Sequence, residues 1–383
     1  MKNIVLIGGH DETFTHFGDL PLTFSVVQLA GSIGPNLRAL TDDIHPVGDL
    51  EVETVIEAVG AILADKRVDH VFSFTEDGLL PAAVAASRFG LSGISESSCR
   101  LCVDKRVMRD HLRGTEFAVA SATCANAADV RAFLHENPAG LVLKPPTGSG
   151  SEDVFVIHDE DDLVTAVKAL GGGSFSMLAE EYLPGREVSV ETLTIDGRHR
   201  LLAVTDKTLY PGALAEARHI VTPDVVESGT RALLAEFCAR LLTLIGHEHG
   251  PCHIELKLDG DRIRLIEINN RVGGDYVGLL AELTTGVSMF RETIRFFAGE
   301  PEPVGAQGDY AFASSHLFYE PVDPDVLRAN LADVDIHRLH IGEAALERHG
   351  PIVNDDKIGW VVYAARDRAA FDKALEYLRN EFL

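Results

Sequence analysis

The chain has 383 residues, 46% hydrophobic and 24% charged, enough for two or three domains with ordinary globular cores. Its 59 acidic against 34 basic residues give a formal net charge of −25, which argues against nucleic acid and anionic membrane as partners and requires a local positive patch for any polyanionic ligand. The apolar start over 4–7 is too short for a signal peptide, no run nears the ~18 apolar residues of a membrane span, and five scattered cysteines with a lone Cys99-Arg-Leu-Cys102 fit a soluble protein of a reducing, cytoplasmic compartment.

Ile4-Val-Leu-Ile7 followed by Gly8-Gly9 reads as a buried strand ending in a tight turn. A helix over 51–65, a strand over 68–74 and a helix over 79–89 come next, an alternation that predicts a parallel sheet of βαβ units. No G-x-G-x-x-G succeeds the first strand, so a dinucleotide fold is weakly supported. An amphipathic helix spans 103–113, and a small α+β segment continues to about 180. Strands follow at 177–195 and 198–206, then a long loop through Pro211 and Pro223, a helix over 224–245, a hairpin over 252–268 and a helical run at 276–298. The run 300–308 reads as a linker, and strands near 310–319 and 358–364 precede a last helix at 368–381. The expected division is an N-terminal parallel α/β domain (1–100), a linker helix and lid (101–180), a mixed-sheet catalytic domain (181–300) and a small C-terminal α/β subdomain (301–383).

The hairpin carries the strongest chemical signal. His253-Ile-Glu255-Leu-Lys-Leu-Asp259-Gly260-Asp-Arg-Ile-Arg-Leu-Ile-Glu267-Ile-Asn269-Asn-Arg271 sets three oxygen ligands and a cation among Ile and Leu. Buried carboxylates are costly unless paired or metal-bound, and hard oxygens without a Cys or His set suit Mg²⁺. A two-residue Asp-Gly loop would pair Leu258 with Asp261 and put Glu255 and Glu267 on opposite faces. A three- or five-residue loop puts both on one face beside Asn269, so an odd-length loop is predicted.

Upstream, Lys144-Pro-Pro-Thr-Gly148-Ser149-Gly150-Ser151 joins two strands. Such a loop can fold backbone N–H groups and hydroxyls over phosphate oxygens, while the lysine adds a point charge. Lys144 precedes the glycines and a strand follows, so the loop is a flap rather than a helix-capped cradle, or else a plain hairpin tip. Glu180-Glu181-Tyr182-Leu183-Pro184-Gly185-Arg186-Glu187 is strand, turn and strand. Its edge can offer bare backbone to adenine and Glu187 to a ribose; the alternative is a solvated acidic hairpin. In the 206–223 loop, Glu216, Arg218 and His219 suit the charged ends of a zwitterion, or line a solvated lid. His337 and His340 have no carboxylate or Cys set around them and read as surface or packing residues.

In this order, Lys105, Lys144 with its glycine flap, the Glu180–Leu183 hinge, the Glu255/Glu267 pair and Asn269-Asn-Arg271 resemble the ATP-grasp superfamily over roughly residues 100–300. The resemblance implies an α/β chain with the α+β ATP-grasp architecture. It implies that Lys105, Lys144, Ser149, Gly150 and Ser151 meet ATP phosphates, Glu180, Glu181 and Leu183 the adenine, and Glu187 the ribose. Glu255, Glu267 and Asn269 would carry two Mg²⁺ ions, with Mn²⁺ as a substitute, and Arg271 would steady the phosphoryl group and the reacting carboxyl. Asn269-Asn-Arg271-Val-Gly273-Gly274 and Glu216-x-x-His219 are most similar to the L-amino-acid ligases, where the two glycines let a substrate carboxylate approach the backbone. Glu216, His219, Arg271, Gly273 and Gly274 would then bind substrate, although Arg218 stands where that branch has a glycine before the histidine.

The reaction expected from this likeness converts a carboxylate to an acyl phosphate and then to an amide, with Lys144, Arg271 and Glu216 as catalytic groups. Glu216 or a phosphate oxygen takes the amine's proton. The enzymatic alternative is a carboxylase or purine-pathway ligase acting on bicarbonate, formate or a ribonucleotide; that of another class is a nucleotide-binding module without turnover. Small molecules are the expected partners, and a homodimer is compatible with the fold.

Overall fold

The computed structural model describes residues 1–148, 150, 152–300, 308–342 and 352–383. Ser149, Ser151 and 301–307 of the expected linker lie outside the described residues. Three sheets organise the molecule. At the N-terminus the order is Ile44–Val47, Leu22–Leu29, Lys2–Ile7, His70–Phe72, every pairing parallel. Ile4 to Ile7 are all buried, as in a strand covered on both faces. The helix Glu76–Phe89 stops at Gly90, whose φ of +66° suits the left-handed position after a helix.

A four-stranded antiparallel lid sheet has the order Ser121–Cys124, Met177–Glu181, Leu141–Lys144, Phe155–Ile157. Helices Ala127–Glu136 and Glu160–Ala169 pack Val130, Phe133, Leu163 and Ala166 onto one of its faces. Asn126 and Asp159 start them, each side chain accepting two backbone N–H bonds of the first turn.

The third sheet is antiparallel and eight-stranded: Arg262–Asn269, Gly250–Asp259, Arg186–Ile195, Arg198–Leu209, Glu216–Val221, Phe312–Phe318, Gly359–Ala365, Asp335–Ile341. Val188, Val190, Ile254 and Leu256 pack with Leu234, Phe237 and Leu241 of helix Ser228–Leu244. Strand alternation turns Ser189, Glu191, His253 and Glu255 to the opposite face. One face is therefore core and the other is available to a ligand.

Several boundaries differ from those read in the sequence. Residues 312–318, 335–341 and 359–365, read as part of a separate C-terminal subdomain, extend the same eight-stranded sheet. The helical run 276–298 is two helices, Val277–Thr285 and Met289–Ala298, because Gly286 (φ +72°) ends the first. The second sends Ile294 and Phe297 into the N-terminal core beside Phe72 and Phe74, so this helix and the N-terminal sheet share apolar contacts. The amphipathic helix starts at Lys105, since Asp104 accepts the Arg106 N–H and caps it. The long loop after 206 shrinks to 210–215: strand Arg198–Leu209 runs on, and Glu216–Val221 pairs back onto it. Among the described residues no helix is long and apolar enough to cross a membrane.

Candidate active site

The face opposite helix Ser228–Leu244 floors a cleft of about 720 Å³ that the lid sheet and the glycine loop cover. It gathers Lys105, Lys144, Gly150, Glu180, Glu181, Leu183, Glu187, Glu216, His219, Glu255, Glu267, Asn269, Arg271 and Gly274. Two β-bulges bring the key pairs together. In the hairpin the loop has two residues, Gly260 and Asp261, since Asp259 pairs with Arg262. The odd-length loop is thus incorrect. The offset comes instead from a bulge at Ile266: Leu256 pairs with Leu265, but Glu255 pairs with Glu267 and His253 with Asn269. Directly opposed residues share a face, so the two carboxylates and the amide stand together. A second bulge, at Ala217, pairs Leu209 with Glu216 and Lys207 with His219, which lets an i, i+3 spacing put both residues on the cleft side of a strand.

Helix Lys105–Leu112 locks onto this floor. Lys105 Nζ donates to the Gly148 carbonyl at 2.8 Å and lies 3.2 Å from Glu267. One turn on, Arg109 makes a two-pronged contact with Glu180 at 2.6 and 2.9 Å and also donates to the Ile266 carbonyl at the bulge. Lys144 lies 2.8 Å from the same Glu180 carboxylate. Burial would raise the Glu180 pKa, but Arg109 and Lys144 outweigh it and hold the group down at about 2. The Glu180 side chain, expected on adenine, is therefore engaged by two cations. Glu181 accepts from Arg264 and from the Ala120 N–H. Leu183 lines the cleft, and Gly185 presses against the hairpin, where a Cβ on it would lie 2.3 Å from the Leu258 carbonyl oxygen.

Lys207 is the centre of the acid cluster, at 2.6 Å from Glu216, 3.0 Å from Glu187 and 3.2 Å from Glu255. Burial opposes its charge, yet the three carboxylates push its pKa well above the ordinary lysine value. Glu216 is held well below the carboxylate range: burial raises it, but His219 and Lys207 pull harder. His253 sits between Glu191 (2.7 Å) and Glu255 (3.4 Å). Burial would lower its pKa; the buried Glu191 and then Glu255 raise it to about 10, so the ring is an imidazolium at neutral pH. Arg271 meets Glu76 at 2.6 Å, linking the cleft to the first helix turn after strand His70–Phe72.

Gly273 does not line the cleft; a Cβ there would lie 2.3 Å from Val277 and 2.5 Å from His253, so it is a packing glycine. Gly274 faces open space. Arg218 turns to Thr208, on the opposite face from Glu216 and His219. Lys207, Arg109 and His253 were missed in the sequence. The signals were there: Arg109 is four residues from Lys105 on a helix, and His253 is two residues from Glu255 on a strand. Lys207 continues the alternation of the strand that runs on past Asp206 to Leu209.

The donor set fits magnesium. Glu255, Glu267 and Asn269 offer only oxygen, and Mg²⁺ takes one or two carboxylates and fills its octahedron with water and phosphate oxygens. Among the described residues no three or more His, Cys, Asp or Glu form a group that could hold a metal ion by themselves. The Cys99 and Cys102 thiols are buried and free, and burial pushes Cys99 up to about 12.

The profile of the ATP-grasp domain matches residues 137–278. Carnosine synthase 1 of Homo sapiens is 29% identical over 237 residues, covering 55% of this chain and 28% of that protein. The L-arginine-specific L-amino acid ligase of Bacillus subtilis is 24% identical over 265 residues, covering 66% of this chain and 63% of its own length. The chain therefore spans less than two thirds of either relative. Among solved structures, an L-amino acid ligase from Bacillus licheniformis superposes with a TM-score of 0.81 at 20% identity, over 100% of this chain and 98% of that one. An N5-carboxyaminoimidazole ribonucleotide synthetase from Thermotoga maritima gives 0.71 at 18% identity, covering 99% and 98%. The fold is the one these ligases share.

Proposed function

We propose that this chain, which carries an ATP-grasp domain over residues 137–278, is an ATP-dependent carboxylate–amine ligase that joins amino acids. The observation that carries the reading is the cross-strand Glu255/Glu267 pair beside Asn269, faced by Lys105, Lys144 and Arg271 in one cleft. A cleft built only to hold a nucleotide has less need of all these phosphate- and metal-directed groups.

In this reading the triphosphate lies between the floor and the glycine loop, with the adenine edge on the Leu183 backbone and the ribose near Glu187. Lys105 and Lys144 neutralise phosphate oxygens. Glu255, Glu267 and Asn269 would hold Mg²⁺, two ions by the likeness, with Mn²⁺ as a substitute; the metal would supply charge neutralisation at the transferring phosphoryl group. A carboxylate oxygen attacks the γ-phosphorus, a new O–P bond forms, the β–γ bridge breaks and ADP leaves. Arg271 steadies the transferred group. The amine lone pair then attacks the acyl carbon, the C–O bond to phosphate breaks, and the amide and phosphate are released. Glu216, held ionised far below neutrality, is a weak base, which favours a phosphate oxygen as acceptor of the amine proton. A flap over residues 147–151, of which Ser149 and Ser151 lie outside the described residues, would exclude water from the acyl phosphate.

A ribonucleotide substrate is less well supported. The N-terminal crevice of about 440 Å³, at the ends of the parallel strands, is lined by Glu76, Asp77, His10 and Gln28 and, among the described residues, by no Lys or Arg, and a phosphoribosyl group would need cations there. A cytoplasmic setting accords with the five buried free thiols, and a homodimer is compatible with the fold.

A phosphate-release screen over pairs of L-amino acids with Mg-ATP tests the reading. Release that depends on an amino acid is expected; release with bicarbonate alone would favour the carboxylase alternative.

A further inference from the structure

Cations line the whole cleft, but they are held differently. The side chains of Lys105, Lys144 and Lys207 are only 7–8% exposed and sit against carboxylates. Lys357 is 28% exposed and has one carboxylate partner among the described residues, Asp275. Its position follows from two anchors. The turn Asn354–Asp356 leads into it, and Asn354 Oδ1 accepts the Glu216 N–H at 2.7 Å. Asp275 comes four residues after Arg271, directly after the open Gly274. Asp275 and Tyr276 both hold left-handed backbone, with φ of +48° and +67°, a conformation that costs non-glycine residues and concentrates at ligand clamps. Following the contacts Lys257–Glu187–Lys207–Glu216, Lys357 lies past Glu216, beyond the ribose end and next to the reacting end.

An amino acid that attacks as an amine keeps its own α-carboxylate. That anion must be placed among Glu76, Glu216, Asp275 and Asp355, all of which repel it, and a desolvated carboxylate needs a cation. In the ligase reading Lys105 and Lys144 are taken by the phosphates and Arg271 by the reacting carboxyl. Resting on the ligase reading above, we propose that Lys357 selects the amine substrate: its ammonium exchanges Asp275 for the α-carboxylate of the attacking amino acid, so that the accepted amines are those that carry one.

The test uses the full chain with Mg-ATP. Each of the twenty L-amino acids is supplied singly as carboxylate donor with hydroxylamine, a nucleophile without a carboxylate, and hydroxamate is measured. With the best donor fixed, amino acids are compared with their own carboxamides as acceptors. Wild type is expected to prefer the acid in kcat/KM by about tenfold or more, the worth of one charge-assisted contact. K357M and K357Q should bring the ratio near one through a raised KM for the acid, while K357R retains most of the preference; thermal melting identifies any variant that does not fold. Hydroxamate formation combined with a wild-type acid preference in K357M and K357Q overturns this proposal alone. Absence of hydroxamate with every amino acid in the wild type removes the ligase reading, and this proposal with it.

Discussion

Glu255 and Glu267 occupy mirrored positions on the hairpin but have different neighbours. Glu255 is tied to Lys207 and His253, whereas Glu267 meets only Lys105 among the described residues. Replacing Glu267 by Gln keeps the shape and removes the charge a metal would use. Amino-acid-dependent phosphate release by E267Q should fall by roughly two orders of magnitude or more, about 3 kcal/mol of lost transition-state stabilisation, with little change in melting temperature. Full activity in E267Q would remove the metal assignment. The residue types were readable in the sequence because a carboxylate inside Leu265-Ile266-Glu267-Ile268 has few inexpensive environments. Lys207 was not readable in the same way: a polar Asp206-Lys207 step looks like a strand end, and only the three carboxylates folded around the ammonium show that it is interior.

At the scale of elements, helix Lys105–Leu112 joins the two sheets that enclose the cleft. Arg109 alone reaches Glu180 on the lid sheet and the Ile266 carbonyl on the floor. Its replacement by Met would leave a buried carboxylate with Lys144 only, and a bulge carbonyl without its donor. Breaking a buried pair from one side costs roughly 3–5 kcal/mol, so R109M should unfold at a clearly lower urea concentration than wild type. An unchanged midpoint would mean that the lid and floor are held together by other contacts. Bulges are the feature that single-strand reasoning handled worst. A shared face for Glu255 and Glu267 requires one residue of offset; the turn does not supply it, since Gly260 at φ +59° serves a two-residue turn well, and nothing local in Leu265-Ile266-Glu267 announces an extra unpaired residue. The same holds at Ala217, where the bulge turns an apparent loop motif into a strand face.

The whole molecule is one continuous eight-stranded floor with two smaller sheets against it, and several ionisable groups are sealed inside. Burial lowers the pKa of His247 to about 4, and burial with the Arg218 charge lowers that of His316 to about 3, from the usual 6.5. The unfolded chain takes up these protons from about pH 6.5 downward while the folded chain does not, so stability falls as pH drops through the window from 6.5 to about 3. Neither His316 ring nitrogen has a hydrogen-bond partner among the described residues. H316L should therefore be close to neutral at pH 7 and gain on wild type as pH falls toward 4, by at most about 1.4 kcal/mol per pH unit. Parallel urea-unfolding curves against pH for the two proteins would count against a neutral buried ring.

Sequence alone determined the parts whose cause is local. The parallel βαβ start follows from alternating apolar runs, the strand–loop–strand around Lys144 from the prolines and glycines that follow it, and the oxygen-rich composition of the hairpin from carboxylates that an apolar strand cannot leave unpaired. Tertiary structure decided what depends on long-range register and company. It set the bulges that turn Glu267 and Glu216 to the cleft, the use of the last strands to widen the floor rather than form a separate unit, and the placement of Arg109 and Lys207 against the buried acids. Those outcomes rest on pairings between separate strands and between sheets, where a one-residue slip reverses every side chain and no neighbouring residue records the choice.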